Sequence, residues 1–283
     1  MLSLNIAELI SAGLVSSTLK QGEIFVSDLL VEVNDGSLYL TINRPKKGNS
    51  MTMEVLAEMK ATLDEYASIK TVRSVVVRGY GGHSFCTGVD LSTMQDGASS
   101  YDLHSGRRAL GELFQAMWTY PKVIVAAVQG FALAGGFGLM AACDIVIADE
   151  VSQFGAPEVN VGVWPFMISV PLLRYVNPRI LFELMVTGRR IGASEALSLG
   201  VLNRVVESQA FESELSQLLF ELNSKSLSVV ALGKESFYKA LDMRSSEALS
   251  YLQAMLSVVN TLEDSTEGIL AFQEKRKPVW RDR

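Results

Sequence analysis

Two loops in this sequence combine glycine with the end of a strand-like run, a pattern that can hold negative charge through backbone amides alone. The first is "SFCTGVD", which follows "VRSVVVRG"; the second is "GFALAGG", which follows "KVIVAAV". Glycine lets the backbone come close to a ligand, and the first amides of a helix are unpaired and partly positive. Two such amides aimed at one point form an oxyanion hole, which stabilises charge developing on a carbonyl oxygen. A glycine turn that serves only packing gives the same pattern.

The second loop contains no side chain that could move protons. Every residue from Val123 to Cys143 is uncharged, so any acid–base group must come from another part of the chain. The nucleotide-binding patterns G-x-G-x-x-G and G-x-x-x-x-G-K-[ST] are absent from the sequence. The uncharged run is long enough for a transmembrane helix. Its β-branched start and its glycines favour a strand, a turn and a buried helix instead, and we expect no membrane association.

The surrounding pattern predicts a sheet that could bring the two loops together. Asp35-Gly36, between "DLLVEV" and "SLYLTI", predicts a β-hairpin. Further β-branched runs alternate with segments of helical spacing, such as the one that contains Leu56, Met59, Leu63 and Tyr66. Beyond Pro178 the spacing is mostly helical. We therefore predict an α/β fold with a mostly parallel core and a helical C-terminal third.

The bulk composition excludes several classes of protein. The chain has 283 residues, of which 48% are hydrophobic, so one body with a full core is expected. A net charge of −6 and the lack of a basic block argue against nucleic-acid binding. Two cysteines and two histidines, without a C-x-x-C motif, predict no disulfide framework and no metal site. They favour a reducing, cytoplasmic compartment, with an organelle interior left open.

Five motifs occur in an order and at a spacing that point to one family. They are "NRPKKGNSMT", "FCTGVDL", "VQGFALAGGFGLMAACDIVIADEVSQFGAPEVNVG", "LMVTGRRIGASEALSLGVLNRVV" and "AFQEKRKPVW". Together they make the chain resemble the crotonase (enoyl-CoA hydratase/isomerase) superfamily from Ser27 to Trp280. The resemblance implies a spiral of ββα repeats over residues 27–206 and a helical trimerisation region over residues 207–283. Residues 1–26, with apolar residues at helical spacing, would form a partly helical extension outside it.

The resemblance also implies a ligand and an assembly. The substrate would be an acyl thioester of coenzyme A, with no tightly bound cofactor, and the protein would be a homotrimer or a dimer of trimers. The thioester oxygen would be held by the amides of Val89 and Gly135. Of the two glutamates that position water in hydratases of this family, one is matched by Glu158, whereas Gly138 stands at the position of the other.

A site with a single glutamate favours double-bond migration over hydration. Moving a double bond needs one base, which takes a proton from the carbon alpha or gamma to the thioester and returns it across the allyl system. Hydration is usually drawn with two carboxylates. The chain is therefore predicted to be an enoyl-CoA isomerase or hydratase. A catalytically silent CoA-binding scaffold and a specialised decarboxylase or dehydratase remain as alternatives.

Further contacts follow from the resemblance and from residue type. The residues predicted to contact coenzyme A are Lys46, Lys47, Asp90, Leu91, Phe272 and Lys275, with Phe272 and Lys275 reaching a neighbouring subunit. Where hydratases often carry a glycine-rich segment, this chain has "PFMIS", and Phe166 and Met167 of this segment follow Trp164. These bulky side chains are predicted to shape the acyl pocket, with core packing as the alternative interpretation.

Overall fold

A computed structural model of the protein describes residues 27–90 and 100–283, with no side chains described between 100 and 107. The predicted extension over residues 1–26, and Leu91, lie outside the described residues. The first described elements form the predicted hairpin, in which β1 (Leu29–Asn34) pairs antiparallel with β2 (Ser37–Ile42). Asp35 and Gly36 adopt φ values of 47° and 77°, as a two-residue turn that follows the twist of its strands requires.

A six-stranded sheet forms the first layer of the core. Beyond the hairpin it contains β3 (Ser74–Gly79), β5 (Val123–Val128), β7 (Ile145–Asp149) and β10 (Arg204–Val206). The order is β1-β2-β3-β5-β7-β10, and every pair after the hairpin is parallel. The central strands are nearly continuous apolar runs, as expected for parallel strands covered on both faces.

A second sheet of short strands lies beyond the first. Its members are β4 (Ser84–Cys86), β6 (Phe131–Leu133), β8 (Gln153–Gly155) and β9 (Arg190–Gly192). Strands β4, β6 and β8 are parallel neighbours, and β9 adds to β8 antiparallel. Each of the three parallel strands follows a longer strand of the first sheet along the chain.

Helices cover both sheets and make up the C-terminal part. In chain order they are α1 (Met53–Tyr66), α2 (Ser100–Thr119), α3 (Gly135–Ala142), α4 (Phe166–Leu172), α5 (Pro178–Thr187), α6 (Ala193–Ser198), α7 (Phe211–Asn223), α8 (Leu227–Leu241), α9 (Ser245–Val259) and α10 (Glu263–Gln273). Single 3₁₀ turns occur at Pro45–Lys47, Pro157–Val161 and Ser208–Ala210. The α/β fold with a helical C-terminal third is confirmed. The spiral arrangement, the trimer and the division at residue 207 stay predictions.

Helix α3 is the most enclosed helix among the described elements. Each of its residues is buried, which is why its sequence, "GGFGLMAA", is apolar on every face. Phe137 of this helix packs against Phe154 of β8 with 6.2 Å between ring centroids. No helix in the described part of the chain is long and apolar enough to cross a bilayer; the uncharged run at Val123–Cys143 folds as β5, β6 and α3.

A buried ion pair joins the end of α3 to the C-terminal helices. Asp144 follows α3, and its carboxylate accepts hydrogen bonds from Lys234 Nζ and Tyr238 Oη of α8, both at 2.7 Å. It also accepts one from the backbone amide of Ile124, at 2.7 Å. Lys234 Nζ donates in addition to the Lys122 carbonyl at 3.0 Å. Both charged groups are therefore paired and hydrogen-bonded, the condition under which buried charge is tolerated.

Candidate active site

Three of the predicted site residues follow the carboxyl ends of three adjacent parallel strands. Val89 comes shortly after β4, Gly135 after β6 and Glu158 after β8. The register pairs Cys86 with Ala132 across the first two strands. Leu133 pairs with Gly155 across the second two. Parallel strands in register end at one edge of a sheet, and that edge is where ligands commonly bind in α/β folds. The structure thus brings the three residues to one edge.

The amides of Val89 and Gly135 lie close together. Gly88 has φ 115°, a conformation that favours glycine. An ideal Cβ on Gly88 would lie 3.3 Å from the Gly135 nitrogen, and one on Gly135 would lie 3.4 Å from the Val89 nitrogen. The two loops therefore pack backbone against backbone. A Cβ on Gly88 would also lie 3.0 Å from the Ala134 Cβ, so this close approach favours glycine at position 88.

Both amides are available to a ligand as far as the described residues show. The Met51 amide donates to the Gly88 carbonyl and the Asp90 amide donates to the Met51 carbonyl, both at 2.8 Å. In this parallel pairing the N–H of Val89 points away from Met51. Gly135 is the first residue of α3, so its N–H has no acceptor within the helix. No described residue accepts a hydrogen bond from either amide. The arrangement can hold an oxyanion.

Ala134, immediately before α3, has an unusual backbone conformation. Its φ is 51° and its ψ is −127°, a region that non-glycine residues occupy at a cost of about 1–3 kcal/mol. Its N–H donates to the Gly155 carbonyl at 2.9 Å, and its carbonyl accepts from Phe137 and Gly138 at 3.0 and 3.2 Å. These bonds hold the strained residue and fix the direction of the next amide, that of Gly135.

The loop after β2 holds the first of the two amides in place. Arg44 donates to the Ser50 carbonyl at 2.6 Å and to the Asp90 carboxylate at 2.9 Å. The Asn49 side chain accepts from the Arg44 amide at 2.9 Å and donates to the Ser84 carbonyl at 2.6 Å. No role is predicted for Arg44 or Asn49 from the sequence. Their place in "NRPKKGNS", the first of the five motifs, was the one available signal.

Glu158 combines burial with an unpaired oxygen. It lies on the 3₁₀ turn Pro157–Val161, and its carbonyl accepts from the Val163 amide at 3.1 Å. Its side-chain Oε2 is inaccessible to solvent and has no hydrogen-bond partner among the described residues. Burial raises the pKa of this carboxyl above the usual glutamate value, with its own backbone amide acting in the opposite direction. A desolvated carboxylate with one oxygen that accepts no hydrogen bond is a stronger base than one in water.

The residues predicted to contact coenzyme A have different surroundings. Lys46 and Lys47 are exposed at the end of their 3₁₀ turn. Asp90 is partly buried and its carboxylate pairs with Arg44, so it has a structural contact. Phe272, on α10, is 85% exposed, and Lys275 follows the same helix. Helix α10 packs against α8. A contact of Phe272 or Lys275 with a ligand of a neighbouring subunit stays a prediction.

The three bulky residues of the predicted acyl pocket point to different neighbours. Trp164 packs against Phe182 of α5, with ring centroids 5.8 Å apart. Phe166 is 72% exposed at the start of α4. The end of the Met167 side chain reaches α2, where an ideal Cβ on Gly111 would lie 2.5 Å from its Cε. Their role in binding an acyl chain stays a prediction.

A groove of about 820 Å³ lies away from this edge, between α2 and α8. Trp118, Tyr120 and Tyr238 are among the residues that line it, and the three residues at the strand ends are not. Within the described part of the chain, no group of His, Cys, Asp and Glu residues could hold a metal ion. The candidate site is therefore defined by strand ends and free amides rather than by cavity size.

Known proteins resemble this chain in both sequence and structure. The family model described as enoyl-CoA hydratase/isomerase matches residues 32–283. Enoyl-CoA hydratase domain-containing protein 3, mitochondrial, of Rattus norvegicus is 35% identical over 248 residues, covering 87% of this chain and 82% of the rat protein. Carnitinyl-CoA dehydratase of Escherichia coli strain SMS-3-5 is 35% identical over 259 residues, covering 88% and 97%.

Two crystal structures show the same architecture. Enoyl-CoA hydratase of Mycobacterium smegmatis superimposes with a TM-score of 0.86 and 30% identity, covering 90% of this chain and 99% of that one. The human enoyl Coenzyme A hydratase domain-containing protein 3 gives the same TM-score and identity and covers 90% and 100%. With the sequence matches, these likenesses confirm the resemblance found in the motifs: the chain belongs to the enoyl-CoA hydratase/isomerase family, within the crotonase superfamily of acyl-CoA enzymes.

Proposed function

We propose that this protein moves a carbon–carbon double bond in an acyl thioester of coenzyme A. Glu158 acts as the single base, and the amides of Val89 and Gly135 hold the thioester oxygen. The observation that carries this proposal is the buried, unpartnered Oε2 of Glu158 at the same sheet edge as two available amides. No resident cofactor is required for this chemistry.

The reaction is a pair of proton transfers. Starting from a 3-enoyl thioester, Glu158 takes a proton from the alpha carbon, and the electron pair spreads over the allyl system onto the thioester oxygen. Two amide donors at that oxygen stabilise the charge more in the transition state than in the ground state. Glu158 then returns the proton to the gamma carbon, which yields the 2-enoyl thioester. The proton count balances, and nothing is oxidised or reduced.

Hydration and dehydration are the second candidate for the same site. Hydration adds a hydroxyl to the beta carbon and a proton to the alpha carbon, and dehydration removes them. The 35% identity with carnitinyl-CoA dehydratase favours this chemistry. The absence of a carboxylate at Gly138 favours double-bond migration, because one base is sufficient for it. A decarboxylase would need a carboxylated substrate, and a silent scaffold would bind acyl-CoA without turnover that depends on Glu158.

The proposal extends to assembly and to binding of the nucleotide end. Exposed apolar residues on α9 and α10, such as Leu249, Leu256 and Ile269, support a homotrimer or a dimer of trimers. In such an assembly Phe272 and Lys275 would contact coenzyme A bound to a neighbouring subunit, while Lys46 and Lys47 would meet its phosphates. The rat relative is named as mitochondrial, which supports an organelle interior alongside the predicted cytoplasmic location.

Solvent exchange tests the proposal directly. A short 3-enoyl-CoA is incubated in deuterated water with the wild-type protein, with Glu158→Gln and with Glu207→Gln, a control at an exposed glutamate. NMR should show deuterium at the alpha or gamma carbon and a shifted double bond with the wild type and the control, but not with Glu158→Gln. A 3-hydroxyacyl product would favour hydration instead. Tight binding without exchange in any sample would remove Glu158 as the base.

A further inference from the structure

Helix α4 packs onto a glycine of each of two neighbouring helices through adjacent residues. Met167 meets Gly111 of α2, and Ile168 meets Gly138 of α3. Ile168 is buried, with 2% of its surface exposed. The two contacts place α4 against both helices at once. Met167 is a predicted pocket residue, whereas no role is predicted for Ile168 from the sequence.

The two contacts differ in rigidity. An ideal Cβ on Gly111 would approach only Met167 Cε, at 2.5 Å, the far end of a flexible side chain. An ideal Cβ on Gly138 would lie 2.4 Å from Ile168 Cγ2, 2.7 Å from its Cβ and 3.2 Å from its Cα. Ile168 is branched at Cβ and has little rotamer freedom in a helix. No side chain can therefore project from position 138 while Ile168 and the backbone of α4 remain where they are.

The obstructed space lies beside the oxyanion amides. Gly138 is in the first turn of α3, the turn that begins with Gly135. A Cα–Cβ bond in a helix tilts towards the N-terminus, so a side chain at position 138 would extend towards that first turn. The Ile168 methyl group occupies this space. It presents an apolar surface where a polar side chain at position 138 would otherwise stand.

We propose that Ile168 is a specificity-determining residue of this site. It fills the space of a second acid–base side chain, leaves no room there for the water that such a group would hold, and so favours proton transfer by Glu158 over addition of water. This inference rests on the proposed function. It implies that replacing Gly138 alone cannot create a two-carboxylate site, because Ile168 must be removed as well.

The test is a double-substitution cycle on the full-length chain. The variants are Gly138→Glu, Ile168→Gly and the two combined, with Gly111→Ala as the control at the flexible contact. Ile168→Gly is used because an alanine would leave the Cβ at 2.7 Å. Thermal unfolding reports the packing. Products formed from 2-enoyl-CoA in water, and from 3-enoyl-CoA in deuterated water, report the chemistry.

The cycle has a defined expected result. Gly138→Glu should lower Tm by several degrees, and by less when Ile168→Gly is already present. The combined variant should form 3-hydroxyacyl-CoA at least about 10-fold faster than either single variant. Gly111→Ala should leave the product ratio unchanged and Tm within about 2 °C of the wild type. If the glutamate variants do not fold, Gly138→Ala in the wild-type and Ile168→Gly backgrounds measures the same coupling.

Two results would overturn the inference. One is an equal fall in Tm when position 138 is substituted with Ile168 present and with Ile168→Gly present. Ile168 would then not occupy the space of a side chain at position 138. The other is an isomerising wild type whose combined variant gains no hydration, since specificity would then arise elsewhere. If the wild-type protein shows no solvent exchange that depends on Glu158, the proposed function itself is wrong. The Tm values of the cycle test the packing of Ile168 separately, so the two failures can be distinguished.

Discussion

Two carboxylates, Asp144 and Glu158, lie near opposite ends of helix α3 and have different hydrogen-bonding surroundings. Asp144, after the last turn of α3, accepts hydrogen bonds from Lys234, Tyr238 and the Ile124 amide. Glu158, beside the strand end next to the start of α3, has a buried oxygen with no described partner. A buried charge whose atoms are all hydrogen-bonded is the usual structural case, whereas a buried carboxylate oxygen without a partner is typical of a functional site. The contrast separates a structural acid from a candidate catalytic base.

The largest expected effect is on activity at Glu158. Glu158→Gln keeps the size of the side chain and removes the base, so kcat for double-bond migration should fall by about 10²–10⁴-fold. Tm should stay the same or rise, because no ionised group is then buried. Steady-state kinetics and thermal unfolding on one preparation check both parts. If Glu158→Gln keeps most of its activity, Glu158 is not the catalytic base and its role does not differ in this way from that of Asp144.

The opposite pattern is expected at Asp144. Asp144→Asn removes the charge that offsets buried Lys234 and should lower the free energy of unfolding by about 3–5 kcal/mol. Activity per folded molecule should change little. Urea unfolding followed by fluorescence measures the stability, and kcat is corrected for the folded fraction. Restoration of stability by Lys234→Met in the same chain would show that the unpaired cation is the cause.

The pH dependence should also distinguish the two groups. Because burial raises the pKa of Glu158, the folded protein holds this proton more tightly than the unfolded chain does. Stability from this group is therefore highest below the usual carboxyl range and falls as pH rises through the raised pKa. Activity runs in the other direction, since the base must be ionised: kcat/KM should rise with pH, with its midpoint above 4.5, the usual value.

Glu158→Gln is the control for the predicted pH dependence of both stability and activity. Stability curves of the wild type and Glu158→Gln, measured against pH, should diverge only as pH rises through that window. A kcat/KM profile that does not rise with pH above 4.5, or one that falls, would contradict the assignment of Glu158 as the base.

The smallest expected effect concerns a third carboxylate, Asp90, which is paired with Arg44. Arg44→Lys keeps the charge but loses the fork of donors that joins Ser50 and Asp90. The Val89 amide would be held less firmly, so kcat should fall by about 3–10-fold with KM nearly unchanged. Arg179→Lys, the same substitution at an exposed arginine of α5, is the matched control for kcat. An equal fall in kcat for Arg179→Lys and Arg44→Lys would contradict a positioning role for Arg44.

The sequence predicts the long elements well because their patterns are long. The hairpin turn at Asp35-Gly36, the apolar strands and α1 follow from local signals. The strands β4, β6 and β8 do not, since three residues are too few to show a period. Beyond Pro178 the helical spacing likewise does not give the ends of the individual helices, such as the break between α9 and α10. Boundaries of this kind depend on packing rather than on local propensity.

The residues of the candidate site also fall into two groups, those that a local sequence pattern reveals and those that it does not. Val89 and Gly135 lie in the two glycine loops that the sequence shows, and their roles, like that of Glu158, were predicted from the family resemblance. Ile168 was missed because its role arises only where two helices touch. Ala134 was missed as well, since nothing in an alanine predicts φ 51°. Contacts between elements far apart in sequence leave no local pattern.

The bonds from Asp144 to Lys234 and Tyr238 have a consequence for how the chain can be divided. A fragment ending near residue 206 would keep both sheets and all three strand ends but would lose α8, and with it both side-chain donors to Asp144. A negative charge would then remain, unneutralised, at the carboxyl end of α3, where the helix dipole is also negative. The part of the chain that contains the candidate site is therefore not expected to be stable without α8. A chimera with another chain would have to include the C-terminal helices together with the two sheets.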